Sequence, residues 1–210
     1  MTLLQDVVKD TAAGVAVAEK PDGLMALDGP GCAAAIWQRP VLPFQTWIDG
    51  LDPDMLPRAR VILTPDGVRN ATEQACEQSA MPRGAARDQM VDDICFLAQM
   101  FSQFMGAPWL RLRLDVVTTN ACRKFHIDAL TARLVCTYRG TGTQYGTSTD
   151  GAAPQQVFTV PTGAPILLRG TLWPEQPPSG LRHRSPPIEG TGETRLVLVL
   201  DALDDPGDEI

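Results

Sequence analysis

The sequence predicts an α+β fold in which helices pack on an antiparallel β-sheet that curls toward a small barrel. Two patterns support this prediction. Apolar residues recur at helical spacing over residues 87–105, and from residue 110 onward they alternate with polar residues, as in half-buried strands. A chain of 210 residues with 44% hydrophobic residues can bury one good core but not two independent ones. We therefore predict a single domain.

The helical layer is predicted at residues 59–109. Its clearest helix covers residues 87–105, where the apolar side chains are spaced by four, three, four and three: Met90, Ile94, Leu97, Phe101 and Phe104. Gly106 and Pro108 end this helix, because glycine accepts a left-handed cap and proline cannot continue the hydrogen-bond ladder. A second helix is expected at residues 69–78, and a short strand at residues 60–63 precedes it.

The β-barrel core is predicted at residues 110–202. Leu112, Leu114 and Val116 alternate with polar residues, as a strand with one buried face requires. Further strands are expected at residues 133–138, 157–160, 166–169 and 194–200. Residues 1–58 are rich in proline and glycine, so we expect irregular structure there apart from a short strand at residues 35–37. Residues 203–210 should form an acidic, solvated tail.

Composition excludes several classes of function. The net charge of −7 and pI near 4.8 disfavour nucleic acid as a partner, since phosphate contacts need clustered Lys and Arg. No signal peptide or apolar run of membrane-spanning length is visible, so we expect a cytoplasmic protein with no membrane partner. The five scattered cysteines should be reduced thiols.

The chain has only two histidines, and both lie in the β half. His126 and Asp128 are two residues apart, so on a strand both side chains point to the same face and can share one metal ion. His183 is the imidazole available as a third ligand. Two histidines and one carboxylate leave part of the metal open, as in non-haem Fe(II) oxygenases. The alternative is a purely structural hydrogen bond between His126 and Asp128.

These residues resemble the Fe(II)- and 2-oxoglutarate-dependent oxygenases, whose fold is a double-stranded β-helix (jelly-roll or cupin-like) and whose motif is HxD, a distant His and then Arg. The resemblance implies Fe(II) on His126, Asp128 and His183, with Arg195 binding 2-oxoglutarate. Asn120 and Tyr138 on flanking strands could hydrogen-bond the same cosubstrate. The Arg-x-Ser signature of some members is absent, because Val197 occupies the serine position. Arg195 could instead pair with Glu193 or Asp201.

Two further runs, residues 136–143 and 183–187, resemble the bacterial domain of unknown function 1826 (DUF1826) family. That resemblance implies no activity, but it implies an association with zinc homeostasis, so Zn(II) is the alternative metal. Our leading interpretation is an oxygenase that hydroxylates an unidentified small-molecule or protein substrate. The alternative is a non-catalytic zinc-binding protein that uses the same ligands, with Cys122 as the fourth. A metal-free cupin-like interaction module and a homodimer are also left open.

Overall fold

The computed structural model describes residues 14–148, 152–174 and 180–207. The predicted acidic tail is described as far as residue 207, and its last three residues lie outside the described part. Within these ranges none of the helices combines the length and apolarity needed to cross a membrane.

The described regular structure consists of ten strands, three α-helices and three 3-10 helices, the last at Pro21–Asp28, Pro53–Met55 and Pro65–Gly67. In chain order the strands are β1 Val15–Ala18, β2 Ala34–Trp37, β3 Ala59–Leu63, β4 Trp109–Val117, β5 Ala132–Arg139, β6 Gln144–Thr147, β7 Phe158–Thr159, β8 Pro165–Arg169, β9 Leu181–Arg184 and β10 Arg195–Leu203. The helices are α1 Gln45–Asp49, α2 Val68–Gln78 and α3 Ala85–Met105.

The strands form a large and a small sheet. The large sheet has the order β1-β2-β8-β5-β10-β4-β3, and the small sheet has the order β7-β6-β9. From β4 onward the chain alternates between them: β5, β8 and β10 lie in the large sheet, and the segments between them pair in the small one. Valines of β5 and β10 pack against Tyr145 and Leu181 of the small sheet. This is a double-stranded β-helix, so the predicted α+β fold is confirmed.

Helix α3 covers the other face of the large sheet. Its buried side chains Met90, Ile94 and Phe101 lie in one cluster with the inward residues of β4 and β10. The helix is capped by Gly106 in the left-handed conformation, as its sequence predicts, with φ of +63°. The predicted helix at residues 69–78 corresponds to α2.

The N-terminal region contains more regular structure than we expected. Strand β2 corresponds to the strand expected at residues 35–37 and pairs with β8, while β1, which we did not expect, pairs with β2 and extends the large sheet. Strand β1 is four residues long and apolar without alternation. Such a short run carries no strand period, so only tertiary pairing defines it. Strand β3 corresponds to the strand expected at residues 60–63 and pairs with β4.

Candidate metal centre

The two histidines are brought together by backbone pairing. His126 N donates to the carbonyl of His183, and His183 N donates to the carbonyl of His126, each at 3.0 Å. His183 lies on β9, which pairs with β6, and His126 extends the same small sheet on the other side of β9. The imidazole centroids are 4.5 Å apart. Residues 57 positions apart in sequence are thus adjacent.

Asp128 completes a group of three possible metal ligands. One ligand atom from each of His126, Asp128 and His183 lies within 4.8 Å of the others. His126 Nε2 is 3.4 Å from Asp128 Oδ1, and His183 Nε2 is 3.2 Å from Asp128 Oδ2. The side chains of Asp128 and His183 are each 10% exposed. The predicted triad therefore converges at a largely buried point.

The surroundings prepare these side chains to donate electron pairs. His126 Nδ1 lies 2.9 Å from the carbonyl of Lys124, which fixes a proton on Nδ1 and leaves Nε2 to face Asp128. Burial lowers the pKa of His183, which favours the neutral ring that binds metals. Burial alone would raise the pKa of Asp128, but both imidazoles and the Arg133 charge lower it well below the usual range. The hydrogen bond to Asp128 raises the pKa of His126 against the effect of burial, so a metal would displace a proton from this ring, whereas the His183 ring is already neutral.

A second layer of charge fixes Asp128. Arg133 Nη1 donates to Asp128 Oδ1 at 2.6 Å, and the same guanidinium binds Asp201 through Nε at 2.6 Å and Nη2 at 3.0 Å. Asp128 Oδ2 is buried and accepts no well-aligned hydrogen bond from the described residues, although His183 Nε2 lies 3.2 Å away. An unsatisfied buried carboxylate oxygen is costly, so it indicates a missing ligand. Two imidazole nitrogens and one carboxylate oxygen suit Fe(II) or Zn(II).

Arg195 lines the same cavity, which measures about 130 Å³ and includes His126 and His183 in its wall. Arg195 is 2% exposed; its Nε donates to the carbonyl of Thr141 at 2.6 Å, and Nη2 donates to Thr137 Oγ1 at 3.3 Å. Burial lowers its pKa to about 10, which the charge of Glu193 partly opposes. No carboxylate in the described chain forms an ion pair with it.

The alternative partners of Arg195 are otherwise engaged. Glu193 accepts hydrogen bonds from the backbone and hydroxyl of Thr141 at 2.6 and 3.0 Å, and Asp201 binds Arg133. Gly140 makes this packing possible: its φ is +78°, and a Cβ there would lie 2.9 Å from Arg195 Cγ. The guanidinium is therefore held in place but lacks a counter-ion.

Asn120 and Tyr138 are not brought to the cavity, which corrects their predicted role. The hydroxyl of Tyr138 donates to Asp93 Oδ2 at 2.6 Å on the helix-covered face of the large sheet. On β5 it is Arg133, Val135 and Thr137 that face the cavity. Asn120 is tied to Glu189 by two hydrogen bonds of 2.9 Å.

Arg133 and Arg113 are the functional candidates that the sequence reasoning missed. Both line the cavity. The alternation of β4 could have indicated Arg113. Strand β5 is buried on both faces over most of its length, so its sequence did not show that Arg133 faces a cavity. Cys122, considered as a fourth ligand for zinc, is exposed and lines the cavity, but it is not in the group of converging ligand atoms.

Residues 18–201 match the model of the family described as "Protein of unknown function (DUF1826)". The match spans most of the chain, so the protein belongs to this family, as predicted. Among curated proteins, no match was found.

The chain is also distantly similar to solved structures. One is an oxidoreductase of the 2OG-Fe(II) oxygenase family from Burkholderia pseudomallei, with 17% identity, TM-score 0.48, and coverage of 94% of this chain and 97% of that chain. Another is a prolyl-4-hydroxylase from Pseudomonas putida, with 16% identity, TM-score 0.38, and coverage of 79% of this chain and 95% of that chain.

A third is the dioxygenase for auxin oxidation 1 from Arabidopsis thaliana in a binary complex with 2-oxoglutarate. The identity is 12% and the TM-score 0.47, and the alignment covers 73% of this chain and 65% of that chain. The chain therefore spans slightly less than two thirds of this relative. With TM-scores below 0.5, these likenesses support no assignment of activity.

Proposed function

We propose that this protein is an Fe(II)- and 2-oxoglutarate-dependent oxygenase. The observation that carries the proposal is the pairing, in one small cavity, of a largely buried two-histidine, one-carboxylate group with a buried arginine that forms no ion pair with a described carboxylate. A metal alone would explain the first feature, and an anion alone would explain the second. A ligand that chelates the metal at one end and carries a carboxylate at the other end would account for both features.

In this proposal His126, Asp128 and His183 hold the iron, and Arg195 binds the distal carboxylate of 2-oxoglutarate. Arginine presents a planar fork of donors that matches a carboxylate bidentately, which suits this task. When bound, iron and 2-oxoglutarate together supply the oxidant, formed from O2, that hydroxylates a substrate C–H bond. The substrate is a small molecule or a protein.

The remaining cavity residues orient the reactants and exclude water. Arg133 occupies Asp128 Oδ1 and so leaves Oδ2 available to the metal. Val135, Val197 and Val199 line the cavity between the triad and Arg195. Apolar walls lower the local dielectric and strengthen the interaction of Arg195 with a carboxylate. They also keep bulk water from the reacting centre.

The direct test is metal analysis of protein purified without oxygen, followed by titration with 2-oxoglutarate under anaerobic conditions. We expect one iron per chain and a visible charge-transfer band when the keto acid chelates the metal. The variant Arg195→Gln should keep the iron but weaken 2-oxoglutarate binding on the order of tenfold or more, because a charged hydrogen-bond partner is lost.

Two results would count against the proposal. Tightly held zinc with no response to 2-oxoglutarate would favour a zinc-binding protein that uses the same triad. A 2-oxoglutarate affinity that is equal in the wild type and Arg195→Gln would remove the assigned role of the arginine.

A further inference from the structure

A second cationic site lies beside the metal cavity on the same face of the large sheet. It is an open groove of about 640 Å³, lined by the arginines Arg60, Arg111, Arg113 and Arg133 together with Ile62 and Asp201. Arg113 and Arg133 line both the groove and the metal cavity, so the two spaces are adjoining. Binding sites for small ligands commonly measure about 300 to 1,000 Å³. The groove is therefore large enough for a small organic molecule.

Strand register explains why the charges gather here. Arg60 of β3 lies directly opposite Arg113 of β4. Like charges in such a cross-strand pair destabilise a sheet. In the next row Asp201 is flanked by Arg111 on one side and Arg133 on the other. The protein carries a net charge of −7, so this concentration of arginine contrasts with the rest of the chain.

The nearest acidic group, Asp201, compensates the charge of Arg113 only in part. Asp201 binds Arg133 through two hydrogen bonds and reaches Arg113 Nη2 only at 3.3 Å. Arg113 Nε is buried and has no hydrogen-bond partner among the described residues. Burial lowers the pKa of Arg113; Arg133 and Arg60 lower it further, while Asp201 and Asp115 act in the opposite direction. An additional anion would relieve this imbalance.

The groove is separate from the site at Arg195. Along the β4–β10 pair, Val117 lies opposite Arg195, and Arg113 lies opposite Val199. Four residues along a strand correspond to about 13 Å at a rise of roughly 3.3 Å per residue. Their backbone positions are far enough apart for each arginine to bind a different anionic group, although both also line the metal cavity. Arg133, which lines the groove, connects it to the metal ligands through its hydrogen bond to Asp128.

We propose that this groove, formed by Arg60, Arg111 and Arg113, binds a carboxylate or phosphate group of the substrate and so presents a neighbouring carbon to the metal. The identification of the bound anion as part of the substrate rests on the proposed function. Anion binding by the groove does not, because it needs neither metal nor 2-oxoglutarate. Guanidinium forks bind either anion, so the shared chemistry is a compact oxyanion on a small organic molecule.

The binding test uses the whole, metal-free protein titrated with inorganic phosphate and, separately, with benzoate, and follows backbone amide NMR shifts. We expect saturable shifts in β3 and β4 around Arg60 and Arg113. These shifts should persist in Arg195→Gln, which removes the other anion site. They should weaken on the order of tenfold in Arg113→Gln and in the exposed charge reversal Arg60→Glu. The control Arg83→Gln, 80% exposed on its side chain and outside the groove, should leave them unchanged.

The second arm measures 2-oxoglutarate consumption by iron-loaded protein with a panel of carboxylic acids and phosphate esters, each compared with its uncharged amide or alcohol. Acids or esters, but not their neutral analogues, should accelerate consumption, and Arg60→Glu should reduce the acceleration. The better class in the panel identifies the natural anion.

The outcomes separate the two proposals. Anion binding in the groove without any 2-oxoglutarate consumption would leave the groove standing and overturn the oxygenase. If 2-oxoglutarate consumption were the same with charged and uncharged panel compounds, and the same in Arg60→Glu as in the wild type, the groove proposal alone would be overturned. Phosphate and benzoate shifts that vanish in Arg195→Gln would also overturn it, because the only anion site would then be at Arg195.

Discussion

The large sheet carries a buried polar group on each face, and the two groups differ in how completely their hydrogen bonds are satisfied. On the helix face, Asp93 accepts two hydrogen bonds from Arg39, at 2.6 and 2.8 Å, and a third from Tyr138 at 2.6 Å. On the cavity face, no described residue donates a well-aligned hydrogen bond to Asp128 Oδ2, although His183 Nε2 lies 3.2 Å away. Arg195 has no ion pair with any described carboxylate. Each face thus contains a buried aspartate and a buried arginine.

This difference distinguishes buried polar groups that stabilise the fold from buried polar groups that bind a ligand. Burial opposes the charge of Arg39, yet its bonds to Asp93 raise its pKa above the usual value, and burial raises that of Tyr138 far above the usual value. Such a closed cluster has no capacity for a ligand. Buried groups without partners cost free energy unless a ligand satisfies them. We therefore expect substitutions on the helix face to change stability and substitutions on the cavity face to change binding.

The largest effect should come from His183→Ala. The variant leaves two of three ligands, so metal measured by elemental analysis should fall from one ion per chain to a trace. Because the side chain is removed from a cavity wall, circular dichroism should show the wild-type fold. If His183→Ala retained stoichiometric metal with wild-type affinity, the assignment of the centre would be wrong.

Asp93→Ala should produce the opposite pattern. It leaves the guanidinium of Arg39, with a side chain 5% exposed, without its partner. Breaking such a buried pair costs about 3 to 5 kcal/mol of unfolding free energy, measurable by urea denaturation. The neighbouring Asp92→Ala removes an exposed ion pair and should cost less than about 1 kcal/mol. Folded Asp93→Ala should still bind metal, and a specific loss of metal binding would contradict the separation of the two faces.

Arg133→Gln tests whether the second layer of the cavity face tunes the metal. Loss of the hydrogen bond to Asp128 should weaken metal affinity by about 10- to 100-fold, as removal of outer-shell partners does elsewhere. Competition with a chromophoric chelator gives the constant. Unchanged affinity, with a lowered stability as the only effect, would reduce Arg133 to a structural residue.

Tyr138→Phe should have the smallest effect. It removes one hydrogen bond to Asp93 and should cost about 1 kcal/mol in urea denaturation. Binding of metal and 2-oxoglutarate should be equal to wild type within error. A marked loss of 2-oxoglutarate affinity would restore the cosubstrate role that the sequence suggested.

The elements that could be predicted from the sequence are those with a clear local pattern of apolar and polar residues. Strand β4 alternates strictly, and α3 has a continuous apolar stripe, so both elements were predictable. The HxD spacing and the rarity of histidine identified the triad. In contrast, β5 reads Ala-Arg-Leu-Val-Cys-Thr-Tyr-Arg and is buried on both faces over residues 134–138. A strand with no solvent face does not show from its sequence which face lines the cavity, so the direction of Tyr138 could not be predicted. The contacts of Arg133 and the groove at β3 depend on register, which local sequence does not encode.

The mutual backbone bonds of His126 and His183 have a consequence for how the ion is gained. Bringing together two residues that are 57 positions apart costs conformational entropy, and this cost grows with the logarithm of the loop length. For 57 residues the length-dependent part is about 3.6 kcal/mol. Formation of the small sheet during folding offsets this entropy cost. Both imidazoles are therefore adjacent before the metal ion binds. A chelator should therefore strip the ion and return an apoprotein that reloads without refolding.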